Sequence, residues 1–212
     1  MSSRFPGACA VALLIALFCA PSRLTPAAPP AGEDPVAPSF LTTGAETLHY
    51  AVDWRVFDAG TAKLTLTPGN KDGKPQWESE LKLESSGVIA ALYRVEDHYD
   101  VHLEDNFCAV NSVFSAQEGK RNRETRVSFD RARGRASYVE RDRVKNDIIK
   151  AGQTDTPPCV SDVIGAMYRL RAMKLEPEQS ARVPVSDGKK SAQVRVDAQA
   201  REEVVTKLGK FK

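Results

Sequence analysis

The chain has 212 residues, 42% of them hydrophobic, enough for one domain with a single buried core. Lys and Arg number 30 against 28 Asp and Glu, a net charge of +2. That balance excludes a global field for nucleic acid or an anionic membrane surface and confines any basic feature to a local segment.

Arg4 precedes an unbroken apolar run from Ala8 to Ala20, followed by a stretch rich in alanine and proline. Residues 1–20 read as a secretory signal peptide and 21–45 as a flexible Pro/Ala-rich leader. The run is about 13 residues, short of the ~20 that cross a bilayer as a helix. Nothing later approaches it in hydrophobicity, so no transmembrane segment is expected, and the mature chain is expected in the periplasm or outside the cell. Cys19 ends the run behind Phe18, where lipid attachment wants a small residue.

Cys108 and Cys159 are then the cysteines of the mature chain. Outside the reducing cytoplasm a disulfide between them is the expected state. It would close a loop of about 50 residues and contribute up to ~4 kcal/mol through chain entropy. No CxxC spacing and no adjacent histidine support a redox or metal-binding pair.

Period-two alternation dominates the mature chain. Leu48, Tyr50, Val52, Trp54 and Val56 alternate with polar residues, then Ala62, Leu64 and Leu66 do so. The turn-forming stretch Pro68 to Gly73 is expected to end the second strand. Trp77, Ser79, Leu81 and Leu83 mark a third. Val88, Ile89, Leu92 and Tyr93 suit a short helical turn. Strands come next at Arg94–Glu104 and at about Ala109–Gln117, then a hairpin from Arg121 to Val144 turning at Asp130–Gly134.

A helix is expected after Pro157-Pro158-Cys159, capped by Ser161 or Asp162, with Val163, Ile164, Met167 and Leu170 on the face that meets the sheet. Beyond Pro177, Arg182–Val185 and Ala192–Val196 read as a hairpin turning at Asp187-Gly188, and a last strand begins near Val204. The expected fold is mainly β. It is one domain over 46–212, a curved antiparallel sheet (a half-barrel or open barrel) with one packed helix and a short helical turn.

Three segments carry a resemblance: Tyr50-Ala51-Val52-Asp53-Trp54 to Ala59-Gly60, Leu92-Tyr93-Arg94-Val95-Glu96-Asp97-His98-Tyr99, and Cys159 to Arg171. With them the chain resembles the exported bacterial family known as domain of unknown function 3108. The resemblance implies a secreted or periplasmic β-rich protein and carries over no catalytic residues. Members of that family usually continue with further strands beyond the position of Phe211, so a truncated C-terminus is expected. By architecture alone, such a sheet with a helix against it is similar to the half-barrel of periplasmic lipoprotein carriers, which hold acyl chains on the concave side.

Few residues suggest chemistry. His98 and His102 would share a helix face as metal ligands, but on a strand they stand roughly 13 Å apart, too far for one ion. They and His49 read as surface histidines, and no metal site is expected. Asp97 shares its face with Val95, Tyr99, Val101 and Leu103, which points a carboxylate at the core, where it must be paired or neutralised. Arg121 and Arg123 share the face of Val127 and Phe129. An internal Asp97–Arg pair is the first expectation; a polar patch of Asp97, Tyr99, Arg121 and Arg123 lining a ligand cavity is the second, and a catalytic acid the third.

Lys120 to Lys145 holds a local basic excess that could meet anionic lipid or an acidic partner, or simply form cross-strand ion pairs. GxSxG and phosphate-cradling glycine loops are absent from the sequence, so no catalytic residue and no cofactor is assigned. The leading expectation is a non-catalytic envelope protein that holds an apolar or amphipathic, lipid-like ligand in a concave sheet. The alternatives are an envelope module that docks a protein partner and an unrecognised hydrolase.

Overall fold

A computed structural model describes residues 44–212 except 55, 56, 207, 208 and 212. The signal peptide and nearly all of the leader lie outside the described residues. Eight strands form one antiparallel sheet in chain order: β1 (Glu46–Trp54), β2 (Phe57–Lys71), β3 (Lys74–Ser85), β4 (Val95–Glu104), β5 (Ala109–Glu118), β6 (Arg121–Asp130), β7 (Arg135–Asp142) and β8 (Ile148–Asp155). β1 and β8 are both edges, so the sheet is a curved, open one, as the alternation implied. Helix α1 (Gly87–Leu92) links β3 to β4, and α2 (Val163–Ala172) comes after β8. Two small hairpins follow among the described residues, β9 (Ser180–Ser186) with β10 (Ser191–Asp197) and β11 (Val204–Thr206) with β12 (Gly209–Phe211).

Register sorts the inner face into rows that run across the strands. Leu66, Ser79, Val101, Ser112, Val127 and Tyr138 form one row. All six are buried, and Ser79 satisfies its hydroxyl by donating to Thr65 O at 2.7 Å. Next to it lies Leu64, Leu81, Tyr99, Phe114, Thr125 and Glu140; beyond that, Ala62, Leu83, Asp97, Ala116, Arg123 and Asp142.

One end of this face is closed. Phe107, Val160, Ile164 and Tyr168 pack with Leu66, Leu103 and Phe129, and Phe107 stacks between Trp77 and Tyr168 at centroid distances of 6.1 and 5.9 Å. The Cys108–Cys159 disulfide ties the β4–β5 loop to the segment before α2 at this same end, across a sequence separation of 51. Gly165 lets α2 lie against that loop: a Cβ there would come within 2.8 Å of Phe107 O and 2.9 Å of Leu103 Cδ2.

Four details depart from expectation. β2 runs through Pro68 to Lys71, because β1 begins at Glu46 opposite Leu66 and Pro68 therefore stands on a free edge where its missing N–H costs nothing. The apolar face of β1 is not covered at its far end, where Tyr50 and Val52 are exposed. α2 buries Ile164, Gly165, Ala166, Tyr168 and Arg169, whereas Val163 is 63% exposed; the helix is turned from the Val163–Leu170 stripe toward Tyr168. β8 has no sequence signal, since Ile148 to Asp155 shows neither alternation nor a core run.

Candidate functional site

Between the closed end and the Leu83–Asp97 row the concave face is only partly roofed, and a cleft of about 310 Å³ opens there. Its floor is Leu81, Leu83, Tyr99, Phe114, Thr125 and Val127 from β3 to β6. Val163 and Ile164 of α2 form one wall, and Asp187 and Lys189 of the β9–β10 turn another. That turn comes close because Gly188 takes φ +81° and lies directly on Val127, where a Cβ would stand 2.4 Å from Cγ1. The exposed position of Val163, unaccounted for as a core residue, is that of a cleft wall.

Asp97, Ser112 and Thr125 set polar groups into the floor. The Asp97 carboxylate accepts the Gln117 N–H at 3.0 Å, and burial pushes its pKa above the ordinary value. The backbone hydrogen bond opposes that shift, and the nearby Glu118 adds to it. The ion pair expected with Arg121 or Arg123 is not formed. Asp97 is separated from Arg123 by Ala116 on β5. Arg123 instead reaches Glu140 at 2.8 Å, and Arg121 reaches Glu118 at 3.5 Å. Of the four candidate ligand residues, the structure therefore brings Asp97 and Tyr99 into one cleft and leaves Arg121 and Arg123 out of its lining.

Tyr99 is fixed from below. Its hydroxyl donates to Asp162 Oδ2 at 2.8 Å, and Asp162, buried, caps α2 by accepting from the N–H groups of Ile164 and Gly165. Burial pushes the Asp162 carboxyl up, and burial together with that carboxylate pushes the Tyr99 phenol well above its ordinary range. Tyr99 is thus a neutral side chain whose proton is already committed. The link from Tyr99 to Asp162 joins β4 to the helix cap across 63 residues, which alternation cannot reveal. At the cleft's other side Lys189 and Arg123 both bind Glu140, at 2.7 and 2.8 Å, and hold its carboxyl below the usual range.

On the outer face, His98 Nε2 lies 2.7 Å from Glu80 Oε1 and 3.2 Å from Asp100 Oδ1, ligand atoms close enough for one cation to join them. Spacing along a single strand does not reveal this group. It forms across two strands, because Glu80 stands opposite Asp100 in the register. Lys82 Nζ, 2.9 Å from Glu80, already offsets part of its charge. His102 belongs to a separate pair, 3.9 Å from Glu78. The middle of the basic run resolves into ion pairs: Arg126 with Glu124, Arg131 with Glu104, Arg133 with Asp130 and Arg135 with Asp155.

An open antiparallel sheet, plugged at one end by a helix and a disulfide and carrying an apolar cleft on its concave face, defines the class of protein. Residues 49–212 match the family described as "Protein of unknown function (DUF3108)", and the chain belongs to that family. No curated protein and no solved structure matches it.

Proposed function

We propose that the chain is a non-catalytic, exported protein of the cell envelope that holds an apolar or amphipathic molecule in the cleft of its concave sheet. The carrying observation is the cleft itself. Its volume of about 310 Å³ reaches the lower end of the ~300–1,000 Å³ range of ligand pockets, and its lining is aliphatic and aromatic with few polar groups. The polar groups narrow the ligand's chemistry. A desolvated Asp97 disfavours a second carboxylate beside it and suits a hydroxyl, amide or amine that donates to it. Lys189 and Arg123 converge on the single carboxylate of Glu140, which engages both of them. A single-chain lipid whose head donates a hydrogen bond fits best. Export accords with a chain carrying a disulfide and a signal-like N-terminus.

Native mass spectrometry of the protein isolated from cells tests the proposal. The wild-type chain is expected to retain a lipid-sized adduct, and Thr125→Trp, which fills the floor, to lose it. An adduct unchanged by Thr125→Trp, or none on the wild type, contradicts the proposal.

A further inference from the structure

The two ends of the eight-stranded sheet carry loops of different kinds. At the closed end the β2–β3 turn is Asp72-Gly73, and the β6–β7 turn runs Arg131-Ala132-Arg133-Gly134, with its arginines bonded to Glu104 and Asp130. At the open end two of the described connections carry exposed apolar side chains. α1 buries none of its residues, leaving Val88 65% and Leu92 79% exposed, and Tyr93 beyond it is exposed too. The β7–β8 connection leaves Val144 74% exposed, and Ile148, which opens β8, is 59% exposed.

Basic residues stand between these two apolar tips. Lys120 lies in the β5–β6 turn, and Arg143 and Lys145 in the β7–β8 loop. The two turns are held together by the Arg143 N–H, which donates to Asn122 O at 2.9 Å. Among the described residues none of the three basic side chains forms a salt bridge. Of the neighbouring acids, Glu118 faces Arg121, Asp142 accepts the N–H groups of Val144 and Lys145 and is attracted by the Lys145 charge, and Asp147 stands exposed in the same loop, so the three cations outnumber the two loop acids by one.

Exposed aliphatic tips beside a small excess of cations match a plane that is charged outside and apolar a few ångströms beneath, where the tips insert and the longer basic side chains stay at headgroup level. We propose that this open end is a docking surface for a phospholipid bilayer with anionic headgroups, seated through α1 and the β7–β8 loop. The surface is independent of the cleft reading. It also lies at the end of the concave face toward which the cleft opens, one row of Ser85, Val95 and Glu118 beyond Leu83 and Asp97, so a docked molecule turns that end of the cleft to the membrane.

The protein as isolated from cells is mixed with vesicles of phosphatidylethanolamine and phosphatidylglycerol, with an environment-sensitive fluorophore on Leu92→Cys or, at the closed end, on Ala132→Cys. The probe at position 92 is expected to shift to the blue and the one at 132 to stay unchanged. Val88→Ser with Leu92→Ser, both at exposed positions, is expected to weaken vesicle binding about tenfold or more at an unchanged melting temperature. Equal shifts at both positions, vesicle binding unaffected by the serine pair, or capture of a protein on this surface without vesicle binding would overturn the proposal. Thr125→Trp separates the two readings: it removes a cleft ligand and leaves vesicle binding in place.

Discussion

Glu140 shows how little of a side chain's energetics its own sequence neighbourhood reveals. It lies on the inner face of β7, where Arg123 from β6 and Lys189 from the distant β9–β10 turn converge on it. Lys189 first, and Arg123 with it, hold its carboxyl below the ordinary 4.5. The unfolded chain therefore binds a proton more readily than the folded one. The stabilisation is complete above pH 4.5 and is lost as the pH falls through the lowered folded value. Both cations are over a third exposed, so screening limits the effect. Glu140→Gln is expected to cost about 1 kcal/mol in urea unfolding at pH 7, and the difference to shrink toward zero at pH 3. Asp97 has the opposite sign: burial raises its pKa, so its ionisation weakens the fold as the pH rises. That Asp97 points inward was legible from face parity with Tyr99 and Val101. Its lack of an arginine partner was not, because Arg123 had a nearer acid on β7.

Elements were legible where a repeating pattern had a covered face behind it. β3, β4, β6 and β7 follow their alternation, and Asp162 caps α2 as its residue type implies. The buried face of α2 was not legible, because Tyr168 counts as amphipathic in the stripe, yet it is wholly buried between Phe107 and Arg171. β8 carries no pattern because an edge strand packs on one side only and needs no regular apolar face; Gly152 serves there to make room for the Tyr138 ring, 2.9 Å from where a Cβ would be. The disulfide acts at this scale, joining the β4–β5 loop to the approach to α2. Replacing both Cys108 and Cys159 by serine is expected to lower stability by ~2–4 kcal/mol in chemical unfolding, and to loosen the plug before the central strands. An unchanged midpoint would show that aromatic packing around Phe107 holds the plug alone.

The whole molecule is asymmetric along its strands. Leu66, Val101 and Leu103 lie under α2 and the β9–β10 hairpin, whereas Leu83 and Asp97 face open space in the cleft and Tyr50 and Val52 are exposed. An open eight-stranded sheet has more inner face than one ten-residue helix and one hairpin can cover, and the cleft is the remainder. The sheet was legible in the sequence. The cleft was legible only at Asp97 and Tyr99, because its walls come from Val163 and Lys189, residues that no periodicity ties to β3–β6.

That uncovered remainder is the physical basis of the functional reading. It is tested most directly by mapping backbone amide shifts while a monoacylglycerol is added to the protein. Changes are expected to concentrate at Leu83, Asp97, Phe114, Thr125 and Ile164. Shifts scattered over the outer face around His98 and His102, or no saturable shift at all, would contradict it.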